Sequence, residues 1–111
     1  MRPAKLPTGV SAGGHQALPT PSFFDNANAF AVDIADNATP ADTSLAVGLY
    51  VVQSNEDFTL RGENLAAGVD PVAVPAGALI ELPVLRSATY TLTTSNAAGA
   101  KVNFYPAETA D

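Results

Sequence analysis

The chain has 111 residues, a formal net charge of −6, no cysteine and one histidine. That length allows a single domain, and the missing cysteines exclude thiol catalysis, thiolate metal sites and disulfide staples together. The charge is unevenly divided: residues 1–24 hold Arg2 and Lys5 with no acid, hence +2, while 3 bases against 11 acids leave residues 25–111 at −8.

An acidic body is repelled by phosphate backbones, which argues against direct nucleic-acid binding by the folded part. The longest apolar run, Leu45 to Val52 broken by Gly48, falls far below the ~20 residues that span a bilayer. Arg2 and Lys5 could open a signal peptide, but Pro7, Gly9, Gly13 and Gly14 leave no continuous apolar segment behind them, so secretion by that route is not expected. Asn37-Ala38-Thr39 is therefore read as a chance sequon.

The N-terminal stretch contains Pro3, Pro7, Pro19 and Pro21 with Gly9, Gly13 and Gly14. Neither a helix nor a central strand persists through such a composition. Residues 1–24 read as an extended arm and residues 25–111 as a β domain. Fixing each arm backbone costs ~1–2 kcal/mol, and the apolar groups available to offset this are Leu6, Val10, Leu18, Phe23 and Phe24. An ordered arm therefore calls for another protein chain. Its candidate contact residues are Arg2, Lys5, Leu6, Val10, Leu18, Phe23 and Phe24.

From Phe30 the pattern changes to period two. Phe30, Val32 and Ile34 point one way, as in a half-buried strand. Further strands are predicted at Leu45–Gln53, Asp57–Arg61, Val72–Val74, Ala78–Val84, Ala88–Thr94 and Lys101–Tyr105, about seven in all. Ile80, Leu82, Tyr90, Leu92, Val102 and Phe104 form the inward register. Gln53–Glu56, Val74–Gly77 and Asn96–Gly99 supply turn chemistry, with Pro75 second and Gly77 fourth in a type I turn. Pro71, Pro83 and Pro106 are expected at strand ends or edges. Glu63–Gly68 is read as one helical turn stopped by Gly68. Short strands at this spacing favour a small antiparallel β-sandwich or barrel. So small a domain buries only roughly 60–65% of its unfolded surface, which favours association with further copies.

The residues offer little chemistry. His15 sits in the Gly-rich arm, without a scaffold to hold it against a nucleophile and an acid. One histidine and no cysteine make a zinc site improbable. Asp33, Asp36 and Asp42 flank a polar connection, and whether they hold a hard cation stays open, since their spacing matches no EF-hand. Adjacent Glu56 and Asp57 make a poor acid and base pair, and Gly13-Gly14 lacks the Walker lysine. No enzymatic activity, cofactor or metal is expected. Thr89, Thr91 and Thr93 form a row read as a solvated face. Tyr50, Tyr90 and Tyr105 are read mainly as core residues; the alternative is a ligand-binding β-sandwich that meets saccharide or a receptor through exposed tyrosines and loop acids.

A Pro/Gly-rich arm followed by a small acidic β body, with Ala46-Val47-Gly48-Leu49-Tyr50-Val51-Val52 and Val74-Pro75-Ala76-Gly77-Ala78-Leu79-Ile80-Glu81-Leu82, resembles the head-decoration or cement proteins of tailed bacteriophages. The likeness covers length, arm and β body, and is most local at Ala46–Val52, where it is to the lambda-type proteins. It implies a virion structural protein, made in the host cytoplasm, that binds the outside of an assembled head. Its implied partners are the major capsid protein or other virion subunits and further copies of itself, a trimer being favoured, with the arm lying across capsid subunits.

Overall fold

The computed structural model describes residues 19–21 and 25–109. The seven arm residues named above as candidate contacts lie outside them, as does His15. The described residues form nine strands: β1 (Pro19–Pro21), β2 (Phe30–Ile34), β3 (Ala41–Leu45), β4 (Gly48–Ser54), β5 (Phe58–Gly62), β6 (Val72–Val74), β7 (Ile80–Val84), β8 (Ala88–Thr94) and β9 (Ala100–Thr109). Every pairing is antiparallel. In sheet I, β1 and β2 lie end to end along one edge of β9, followed by β4 and β7; sheet II runs β3, β8, β5, β6. Among the described residues no helix is long and apolar enough to cross a membrane.

The sheets close on one core because alternate positions along their strands are apolar. Val52, Val102 and Phe104 from sheet I meet Phe58, Leu60 and Leu92 from sheet II, all buried. Phe104 is its centre: Phe30 stacks on it at 5.1 Å, and the Tyr50 ring meets it edge-on at 6.5 Å. Burying such a side chain contributes roughly 1.5–3 kcal/mol. The inward register expected for Val102, Phe104, Leu92, Ile80 and Leu82 is the one observed, Ile80 and Leu82 lying half-buried against the core.

Two strands escape the sequence pattern. The segment Ala41-Asp42-Thr43-Ser44-Leu45 carries one large apolar residue, yet forms β3 on β8 because Leu45 is buried and Ala41 and Thr43 need little room. The predicted strand Leu45–Gln53 is thereby split: Leu45 ends β3 in sheet II, and β4 begins at Gly48 in sheet I. β1 lies within the proline-rich arm, where Pro19–Pro21 pair with Ala107–Thr109.

Three local expectations change. Glu63–Gly68 contains no helical turn; it makes two tight turns, closed by Leu65 N donating to Gly62 O (3.1 Å) and Val69 N donating to Ala66 O (3.2 Å). The turn after β6 is shifted by one residue. Ala78 N donates to Pro75 O (3.1 Å), so Pro75 is first and Gly77, at φ +79°, third, the place where a type II turn needs positive φ. Pro106 lies inside β9, flanked by β4, rather than at an edge. It is tolerated because the amide and carbonyl of one strand residue point the same way, here into the gap between β1 and β2, where Asn26 Nδ2 donates to Pro106 O (2.5 Å).

One end of the sandwich gathers the turns after β2, β4, β6 and β8. Asn55 Oδ1 accepts from Lys101 N (2.9 Å), and Gly77 N donates to Ser54 O (2.9 Å). Buried Ser54 and Thr94 have partners there: Ser54 Oγ accepts from Glu56 N (3.1 Å), and Thr94 Oγ1 donates to Asp57 O (2.7 Å). Gly99, at φ +86°, passes so close to β2 that a Cβ would stand 2.0 Å from Ile34 O. At the opposite end Ala46-Val47 and Leu85-Arg86-Ser87 carry the chain between the sheets.

Candidate interaction surface

The two outer faces differ in kind. On sheet II, outward positions carry hydroxyls and charges. Thr91 Oγ1 donates to Asp42 Oδ1 (2.8 Å), Ser44 and Thr89 hydroxyls lie 3.4 Å apart, and Thr59 and Thr93 hydroxyls bond one another. Arg61 turns to the following loop, donating to Val69 O (2.9 Å). The threonine row expected on a solvated face is there, cross-linked to its neighbours.

On sheet I, outward positions of β4 and β7 are largely apolar. Leu49 is opposite Pro83, and Val51 lies between Glu81 and Tyr105. Val47 and Leu85 lie just beyond the Gly48–Val84 pair that ends this ladder. Leu85, Val47 and Leu79 are 89%, 65% and 58% exposed, whereas Val51 is 5% exposed although it stands apart from the core cluster. Sequence reading passed over this face because alternation assigns outward positions to water. The signal was the unbroken run Leu49-Tyr50-Val51-Val52, which marks a strand buried on both faces.

The tyrosines follow the core reading more than the saccharide one. Tyr50 is 7% exposed and its hydroxyl donates to Ala46 O (2.9 Å), bracing the crossing between sheets. That corrects the alternative for Tyr50, whose ring presents no platform to solvent. Tyr90 is half-buried on the inner face, and Tyr105 is half-buried on the outer face of sheet I.

An open cleft of about 540 Å³ lies at the turn-rich end of sheet II, lined by Asn37, Asp57, Thr59, Pro75, Thr93 and Ser95 among others. Several of its polar groups are bonded within the fold. Asp57 Oδ1 accepts from Ala76 N (2.7 Å), and Thr59 is bonded to Thr93.

The loop acids are dispersed as well. Asp33 is in register with Lys101, Asp36 Oδ1 accepts from Ala38 N (2.9 Å), and Asp42 accepts from Thr91. Among the described residues no three of His, Cys, Asp and Glu form a group able to hold a metal ion. The Asp36 carboxyl is held below its ordinary range by the Ala38 amide, then by the Thr39 hydroxyl and amide. The two outer faces thus define an all-β sandwich with one hydrated exterior and one mixed exterior, apolar along part of β4 and β7 and polar at Gln53, Glu81, Lys101 and Asn103. No model of a known protein family matches the chain, and no curated protein matches its sequence.

Proposed function

We propose that the protein is a virion structural component, a decoration protein that binds and stabilises an assembled bacteriophage head. The observation that carries this reading is the exposed apolar side chains Val47, Leu79 and Leu85 bordering β4 and β7 of sheet I on an acidic body. Exposed apolar patches of that kind mark contact surfaces, and Val47, Leu79 and Leu85 are too open to serve the core. The arm is rooted in the same sheet through β1, so arm and face address one partner. A proline stands in or beside β1, β3, β6 and β7, which discourages strand addition at those edges and favours contact through a face. The partner is a shell subunit, with further copies of the chain alongside, three around a symmetry axis by the resemblance. The placement is the outer surface of the head.

The test is co-sedimentation of the purified full chain with assembled phage heads lacking their decoration protein. Saturable binding in a fixed ratio to capsid subunits is expected, with release when Leu79 and Leu85 are changed to serine or residues 1–18 are removed. The deletion stops before Pro19 because β1 belongs to the sheet. Wild-type chain left in the supernatant, or equal occupancy by all three proteins, overturns the proposal.

A further inference from the structure

β2 differs from the other borders of the two sheets. β1 contains Pro19 and Pro21, β7 contains Pro83, Pro40 precedes β3, and Pro71 and Pro75 bracket β6. Proline at a border takes away donors that an added strand would use. Phe30–Ile34 and its flanking residues Ala29 and Ala35 include no proline, so β2 keeps its donors.

Their direction follows from β9. Pro106 O accepts from Asn26 on the border side of that strand, whereas Lys101 N donates to Asn55 Oδ1 on the side of β4. The amide and carbonyl of a strand residue share a direction that reverses at each step. Ala100, Val102 and Phe104 therefore address β2, and their partners Ile34, Val32 and Phe30 point back at them. Ala31 and Asp33 turn N–H and C=O away from the sheet, and both residues are exposed. The side chains of this border are also partly open: Phe30 is 38% exposed although stacked on Phe104, and Val32 is half-buried.

We infer that the open border of β2 pairs antiparallel with β2 of a second copy of the chain, about a two-fold axis at Val32, joining two copies of sheet I into one continuous sheet. The register follows from the outward groups. Ala31 and Asp33 of one copy meet Asp33 and Ala31 of the other as hydrogen-bonded pairs, and Val32 meets Val32 as a non-hydrogen-bonded pair. Phe30 meets Ile34 on the inner side. No acid directly opposes an acid, since each Asp33 faces an alanine and keeps Lys101 in register within its own chain. A second copy is the occupant because the strand is complementary to itself in this register, and because a pairing that uses β2 of both copies closes at two. The dimer concerns the chain in solution and does not rest on binding to a shell.

Sedimentation velocity of the full chain from ~1 μM to ~1 mM reads the stoichiometry. A reversible monomer–dimer equilibrium is expected, shifted toward dimer by added salt that screens the acidic bodies from each other. Ala31→Pro removes an outward donor and leaves the amides of Phe30 and Val32 to β9, and it should weaken the dimer about tenfold or more. Ala31→Asp, which keeps the backbone donor and sets a carboxylate opposite Asp33, should weaken it likewise; unchanged circular dichroism separates loss of pairing from loss of fold. The absence of cysteine from the sequence lets single cysteines report the register. Val32→Cys lies at the axis, at a separation a disulfide accepts, and should give a covalent dimer on mild oxidation, whereas Ser44→Cys, exposed on β3, should not. A wild-type chain that stays monomeric or forms a trimer, folded Ala31 variants that dimerise as tightly as wild type, or equal cross-linking by the two cysteines overturns the inference.

Discussion

The exteriors of sheets I and II are built from the same strand geometry, yet they solve opposite problems. Sheet II spends its outward positions on Asp42, Ser44, Thr59, Thr89, Thr91 and Thr93, which bond across strands. Sheet I places Leu49, Val51 and Pro83 there, with Val47 and Leu85 at the crossing. Both faces satisfy the backbone equally well, so the ladder does not decide the difference. The outward side chains do. Sheet II spreads its polarity evenly, while along β4 and β7 of sheet I Val51 is covered and Leu79 and Leu85 at the border are open.

The comparison can be broken most severely where the sheets join. Gly99→Ala puts a methyl group against the β2 backbone at positive φ, and a loss of about 3–5 kcal/mol is expected by thermal or denaturant unfolding. Both faces should fail together in that variant. A sharper contrast sets Val51→Asp against Ser44→Asp. The first puts a carboxylate at a covered apolar position and should cost roughly 2–4 kcal/mol; the second, at an exposed position of sheet II, should stay within about 0.5 kcal/mol. Equal costs would mean that the two exteriors are alike.

Within sheet II, Thr91→Val removes the donor to Asp42 and should lower stability by about 0.5–1 kcal/mol. The smallest effect is expected at Asp36. Its folded carboxyl titrates below the ordinary value, so its contribution is complete above the unfolded range near ~3.9 and is lost as pH falls through the lower folded value. Faster amide exchange at Ala38 on acidification, absent in Asp36→Asn, is the measurement. No change is expected at neutral pH.

Much of the core could be read from the chain because strict alternation, as in Lys101-Val102-Asn103-Phe104, leaves one register. The candidate face was passed over, since the same rule declares outward positions wet, although the unbroken run Leu49-Tyr50-Val51-Val52 breaks that alternation at Val51. β3 was missed for the converse reason: Thr43 and Ala41 fill shallow inner positions that no hydropathy pattern marks. The Pro75 turn shifted by one residue because proline also suits the first place when glycine can take the third. The dispersal of Asp33, Asp36 and Asp42 depends on pairings that sequence proximity does not reveal. The arm residues chosen for partner contact rest on composition alone.

The placement of proline also bears on crowding. A protein displayed in many copies, or stored at high concentration before assembly, brings its strands repeatedly within reach of other strands. Open ladders would then template fibres, and each collision would extend them. With Pro19 and Pro21 in β1, Pro40 before β3, Pro71 and Pro75 around β6 and Pro83 within β7, these borders offer poor templates. Under the proposed role, any association with a shell is therefore expected through a face, where it saturates once that face is covered, and β2, the border strand without proline, is where a strand-adding contact would start.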